Sequence, residues 1–293
     1  MSSQRFYSSI DFFADCFPTL FTHIPTALLD SLFPVRTTKY CPTPVGTIFG
    51  NPINWPNLLY PCLFGILIGF FGFYECSHLS LSSPPPSPSR FSNFSLSCLF
   101  FSLMNISAFM THCYTVPQSS EWQPWYCLDM VCTSTSSLFM ALSCFEGGVP
   151  KLIQKASYAY FFAAYYVLWT YEIQQKRLLW IPEFLYIFVT GVCASCVFWK
   201  VLVPNLLSGT YLNCLLPSLN GLALFIVSVP LDSTLCDILG SPYGNLLTPA
   251  FIGCDVAFAG LIGYVISRDD EEFERKFKEQ ERVKKERELK KEV

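Results

Sequence analysis

The sequence predicts an all-α protein: a polytopic bundle of seven transmembrane helices followed by a charged C-terminal helix. Three observations carry this prediction. The 293 residues are 52% hydrophobic and only 14% charged, whereas an ordinary soluble domain carries about 25% charged residues. Half of the charge is gathered at one end. Ten of the 19 Lys and Arg and ten of the 22 Asp and Glu follow Ile266, which leaves nine and twelve for the body. Seven apolar stretches approach the ~20 residues that cross a bilayer, at 57–74, 95–113, 126–145, 156–172, 181–203, 210–230 and 246–267. A body so poor in charge excludes a soluble enzyme, a disordered chain and a disulfide-stapled miniprotein. The net charge of -3 offers no field for phosphates, so no nucleic-acid partner is expected.

Residues 1–50 form an N-terminal region. Within it, 10–34 is rich in Phe and Leu but broken by Pro18 and Pro25 and by Asp15 and His23. It reads as an interfacial or re-entrant segment, with an eighth span as the alternative. It lacks the basic start and clean apolar centre of a cleavable signal peptide. The transmembrane domain, 51–267, opens with NPINWPNLLYPCLFG, which sets Asn54 and Asn57 at the mouth of the first span. Trp55, Trp122, Trp125 and Trp180 fall at span edges, where amphipathic rings suit the headgroup zone. SSPPPSPSR at 82–90 is expected to be an irregular, mobile loop. The tail, 268–293, has strong helix formers, no Gly or Pro, and opposite charges one turn apart, such as Glu281 with Lys285. It reads as a solvated helix that continues the last span and either fixes topology or docks a protein partner. Arg90, Lys151, Lys155, Lys200 and the tail fall on one side of the membrane, while Lys176 and Arg177 oppose them. The balance predicts a cytosolic C-terminus.

Ionisable groups inside a bilayer are costly and need a reason. His112 ends the second span and Asp129 begins the third, joined by a short loop that returns both to the same depth. A carboxylate beside an imidazole can orient it for metal binding or proton transfer, and two wetted helix ends are the simpler reading. Thr133, Ser134, Thr135, Ser136 and Ser137 either line the same wall or bond to their own backbone and a neighbouring helix. Asp255 falls near the middle of the seventh span, as a structural carboxyl group or as an ion or substrate site. Asp232 and Asp237 follow the sixth span. The 14 cysteines have uninformative spacing, and the CxxC at Cys193 and Cys196 lacks the second pair of a zinc site. Cys41, Cys113, Cys127 and Cys236 allow one luminal disulfide. Only three histidines occur, and no Walker loop, GxSxG or HExxH motif is present.

These landmarks, the Asn-rich approach at 51–57, Ser107 with His112, Asp129, and PLDSTLCDILG before the last span, resemble a seven-helix superfamily. It includes the alkaline ceramidases and the progestin and adipoQ receptors. The stretches LLDSLFPVRTTKYCPTPVG (28–46) and LCDILG…GCDV (235–256) resemble more closely the transmembrane protein 187 family within it. The resemblance implies a bundle with a Ser and a His in the second helix, an Asp in the third and an HxxxH in the seventh, in which the histidines and the aspartate hold zinc and many members hydrolyse lipid amides or esters. Two departures stand against that chemistry here. Ser107 and His112 are five residues apart rather than four, about 140° around an ideal helix, and the seventh span has no histidine.

Three functions are therefore compatible with the sequence. The first is a degenerate ceramidase-like bundle without catalysis, acting as scaffold, complex subunit or lipid binder. The second is a metal-dependent lipid hydrolase, with His112 as ligand or base, Asp129 orienting it, Ser107 stabilising the oxyanion, and zinc as its cofactor. The third is a transporter that uses Asp129 and Asp255. The expected setting is an endomembrane, with the bilayer itself, a lipid ligand and a protein bound through 268–293 as partners.

Overall fold

The computed structural model describes residues 45–48, 50–82, 88–115, 119–145, 149–167, 180–224, 248–268 and 282. The N-terminal segment 10–34, Asp232, Asp237, Lys176, Arg177 and nearly all of the charged tail lie outside the described residues. Within them the fold is mostly helical. A hairpin, β1 (Val45–Ile48) and β2 (Asn51–Asn54), leads into a short 3₁₀ turn, Pro56–Leu58. Then come α1 (Leu59–Ser82), α2 (Pro88–Phe109, extended by a π-turn at Met110–Tyr114), α3 (Trp122–Ser143) and α4 (Lys151–Val167). Next is α5 (Trp180–Val197), which continues through a π-turn at Phe198–Leu202 to Ser208. Two further helices are α6 (Leu212–Leu224) and α7 (Thr248–Arg268).

Each helix coincides with one of the seven apolar stretches. Four are long and apolar enough to cross a membrane: Pro56–Leu81, Phe91–Tyr114, Tyr186–Ser208 and Thr248–Arg268. That is compatible with an integral membrane protein. The expected count of seven is not reached on length and composition. The hydroxyl run of α3 dilutes its hydropathy, and the described parts of α4 and α6 end at Val167 and Leu224. One local expectation is corrected. The helix α2 begins at Pro88, inside the stretch expected to be a loop, because a proline is tolerated in the first turn, where no N–H is needed. The approach to the first span, to which the sequence assigns no element, is a hairpin. Val45 pairs with Asn54 and Ile48 with Asn51, and Gly50 turns the chain at φ 82.

The packing of α1 and α2 explains the arrangement. One side of α1 carries Tyr60, Leu63, Phe64, Leu67, Phe70, Phe71 and Tyr74, all exposed, the stripe expected of a helix facing lipid. Its other side carries Gly65, Gly69 and Gly72, where any Cβ would collide with Asn105, with Ser102 and the Cys98 carbonyl, and with Cys98 and Ile262. Small residues let the two backbones close up, and hydroxyls then bond across. Ser102 Oγ donates to the Ile66 carbonyl (3.0 Å) and Ser95 Oγ to that of Phe73 (3.2 Å). The central helix is α2, with 61% of its apolar window buried against 22% for α5. Ser97 and Ser136 bond each other's carbonyls at 2.8 and 2.9 Å, joining α2 to α3. Paired amides of Asn93 and Gln154 join α2 to α4. Phe258 of α7 stacks on Phe101 at 3.9 Å. Gly221 of α6 meets the Gly253 carbonyl of α7, and Ser218 Oγ donates to Ala257 O (2.9 Å).

Candidate functional site

The hairpin-side ends of α1, α2, α3 and α7 converge beneath the hairpin. Ile53 of β2 is buried, β2 packs on the π-turn of α2, and the Cys113 thiol lies 3.7 Å from the Trp55 carbonyl. Trp55 itself holds a left-handed backbone at φ 50, a strained conformation for a bulky side chain. The hairpin is thus fixed over the bundle.

The π-turn Met110–Tyr114 presents His112. The Thr115 N–H reaches back five residues to the Met110 carbonyl at 2.9 Å, and the Thr111 and Thr115 hydroxyls bond to the Ser107 and Met110 carbonyls. Such back-bonding hydroxyls loosen a regular helix. His112 Nε2 stands 3.7 Å from Asp129 Oδ2, an ion pair when the imidazole is protonated and too long for a direct hydrogen bond. The expected convergence of these two residues is observed.

Other candidates fare differently. Ser107 is fully buried, and its hydroxyl is committed to the Leu103 and Met104 carbonyls at 2.9 Å each. The ideal-helix angle between Ser107 and His112 does not apply, because a π-turn intervenes. Thr133 and Ser137 bond their own backbone and Ser136 reaches α2, so the hydroxyl run is mostly glue between and along helices. Thr135 Oγ1 is buried without a partner. Asn54 ends β2, and Asn57 buries an Nδ2 that has no acceptor. Cys113 and Cys127 are buried and are not disulfide-bonded to each other.

Asp255 of α7 is 1% exposed, and among the described residues neither of its carboxylate oxygens has a hydrogen-bond partner. It shares a neighbourhood with the His112 pair: Cys62 of α1 lies within electrostatic range of Cys113, Asp255 and Asp129 together. One turn before Asp255, Phe251 sets its ring edge against His112, with centroids 6.2 Å apart, and packs with Leu58, Cys62 and Cys113. Phe251 escaped the sequence reading, although its i, i+4 spacing from Asp255 places both on one face of α7. The zinc that the family resemblance implies can be tested against these donors. Among the described residues no three His, Cys, Asp or Glu side chains converge to hold a metal, and α7 turns a phenyl ring to His112 where a ligand is needed. The described residues do not fit a hydrolytic zinc.

Comparison of the chain with protein-family models, with curated proteins and with solved structures finds no match. The likeness to the ceramidase superfamily therefore stands on the motifs alone.

Proposed function

We propose that the chain is a seven-helix integral membrane protein with a degenerate ceramidase-like bundle, which binds a lipid beside His112 and Asp255 and does not hydrolyse it. One observation carries this reading: Phe251, not a metal ligand, faces His112. The remaining chemistry agrees with it. Ser107 is bound to its own helix and is poorly placed to stabilise an oxyanion. The two oxygens of Asp255 suit a ligand that brings N–H or O–H donors, as the amide or hydroxyl of a lipid headgroup does, because a buried polar group without a partner is costly. In this reading α3, α4 and α6 cross the membrane with the four longer helices, sheltered by α2 and α7. The C-terminus lies in the cytosol and the setting is an endomembrane. The tail 268–293 serves as a stalk or docks a protein partner.

The test is release of fatty acid from a ceramide and from a phospholipid by purified protein in vesicles, with lipid retention measured by mass spectrometry. Retention of a lipid that is lost in Asp255→Asn, without any release, is the expected result. Release that His112→Ala abolishes would establish the hydrolase instead. A second reading, cation transport, is favoured by the lack of any hydrogen-bond partner for Asp255 among the described residues and predicts ion flux that Asp255→Asn reduces.

A further inference from the structure

At the opposite end of the bundle, α2, α3, α5 and α7 enclose a cleft of about 40 Å³, several times the ~10–15 Å³ that a single water requires. Its walls include Phe94 of α2, Ser143 of α3, Lys200 and Val201 of α5, and Tyr264 and Arg268 of α7. Basic residues from two different helices thus line one recess, and no Asp or Glu is among its described lining residues. Local structure sets the backbone at both. Pro204 cannot donate a backbone hydrogen bond, and α5 loosens into the π-turn Phe198–Leu202 just before it. Lys200 sits in that turn. Among the described residues it forms no ion pair. Arg268 is fixed from its own helix, where Nη1 donates to Tyr264 Oη at 3.0 Å, and Asn205 approaches the same oxygen at 3.5 Å. Beside Lys200, Trp199 is 66% exposed, and its amphipathic ring suits the membrane interface.

We propose that this cleft binds the phosphate headgroup of an anionic phospholipid. The cations meet the phosphate, Ser143 offers a hydroxyl, and the acyl chains lie along the exposed apolar face of α5 that carries Phe188 and Val192. A free phosphate ion shares the headgroup chemistry. The apolar walls and the adjoining Trp199 favour the lipid. The proposal rests on the membrane reading above and is independent of the site beside His112 and Asp255.

Full-length protein in vesicles, probed with bromine-labelled acyl chains that quench tryptophan, measures relative affinity for phosphatidylserine over phosphatidylcholine. The wild type is expected to prefer phosphatidylserine. Lys200→Gln with Arg268→Gln should cut that preference roughly 25-fold, at roughly fivefold per basic residue. Lys290→Gln with Lys291→Gln, the same charge change in the tail, should leave it intact. Equal quenching by both lipids in the wild type, or equal loss in both double variants, overturns the proposal. Displacement of the lipid by millimolar inorganic phosphate or glycerol phosphate makes the cleft a free-anion site and also overturns it. Failure of the wild type to stay with the vesicles through an alkaline wash overturns the membrane reading itself.

Discussion

Asp255 is the residue whose surroundings explain least of it. A carboxyl group sealed from water with both oxygens unpartnered among the described residues costs stability that a shape-matched apolar side chain would not. Asp255→Val is therefore expected to stabilise the detergent-solubilised protein by about 1–3 kcal/mol, read as a rise in thermal midpoint, while abolishing retention of lipid. A fall in midpoint would mean that Asp255 already has a structural partner, and the site would lose its reason for holding a ligand. The outcome matters because the neighbouring pair is partly explained: His112 has Asp129 at 3.7 Å and the Phe251 edge beside it. How much of this was legible in the sequence follows from its physics. His112 and Asp129 could be matched because a short loop returns the chain to the same depth. The commitment of Ser107 to its own helix could not be seen, since an ideal-helix angle takes no account of the π-turn at Met110–Tyr114 or of hydroxyls that bond carbonyls one turn back.

Among the elements, α1 and α2 hold the most specific contact. Gly65, Gly69 and Gly72 recur on one face of α1, and the backbone of α2 approaches so closely that a Cβ at Gly69 would stand 2.7 Å from the Cys98 carbonyl oxygen. A backbone atom cannot step aside as a side-chain tip can. Gly69→Leu is expected to separate the two helices and lower stability by about 1–3 kcal/mol or more, measured by thermal unfolding in detergent. Gly191→Leu, at a position of α5 with nothing within 4 Å, is the control and should change little. Comparable losses at both sites would show that helix propensity, not close approach, is being measured. The spacing GILIG at 65–69 is plain in the sequence and is the signature of close helix contact, yet the sequence reading counted this stretch only as apolar. The hairpin was hidden for another reason. Its strands are four residues each, too short for alternation to declare itself, and they are held by tertiary packing of Ile53 on α2 rather than by their own propensity. The exposed aromatic stripe of α1 was legible only as hydrophobicity, because which side faces outward depends on where the small residues find a partner.

For the whole molecule the question is parity. Seven crossings put the hairpin and the C-terminus on opposite sides of the membrane. Four crossings, the number that length and composition alone support, put them on the same side. The contacts favour the odd number. Cys113, Asp129 and Phe251 mark the C-terminal end of α2 and the N-terminal ends of α3 and α7, and they meet Cys62 near the start of α1. Ser143, Lys200 and Arg268 meet Phe94 at the other end of the bundle. Consecutive helices from α1 to α3 therefore alternate in direction. Reaching α7 in the same direction as α3 and α1, with α5 parallel to them through Lys200, requires α2, α4 and α6 to return the chain each time. Most of the charge distribution agrees: Arg90, Lys151, Lys200 and Arg268 belong to the Phe94 end and the other nine basic residues after Ile266 follow it, while Lys176 and Arg177 oppose them. Basic residues are retained on the cytosolic side, so the proposed seven-helix reading predicts a hairpin in the lumen. An N-glycan acceptor placed in the turn at Phe49 and Gly50 should then be glycosylated in microsomes, and one appended after Val293 should not, each read as a mass shift removed by glycosidase. Modification at neither position would leave parity open on its own, so the assay is paired with protease digestion of sealed microsomes. That digestion should trim the tail, leaving the hairpin attached to a protected core. Trimming at both ends, or protection of both, would make the number of crossings even and withdraw the seven-helix bundle together with the family likeness built on it.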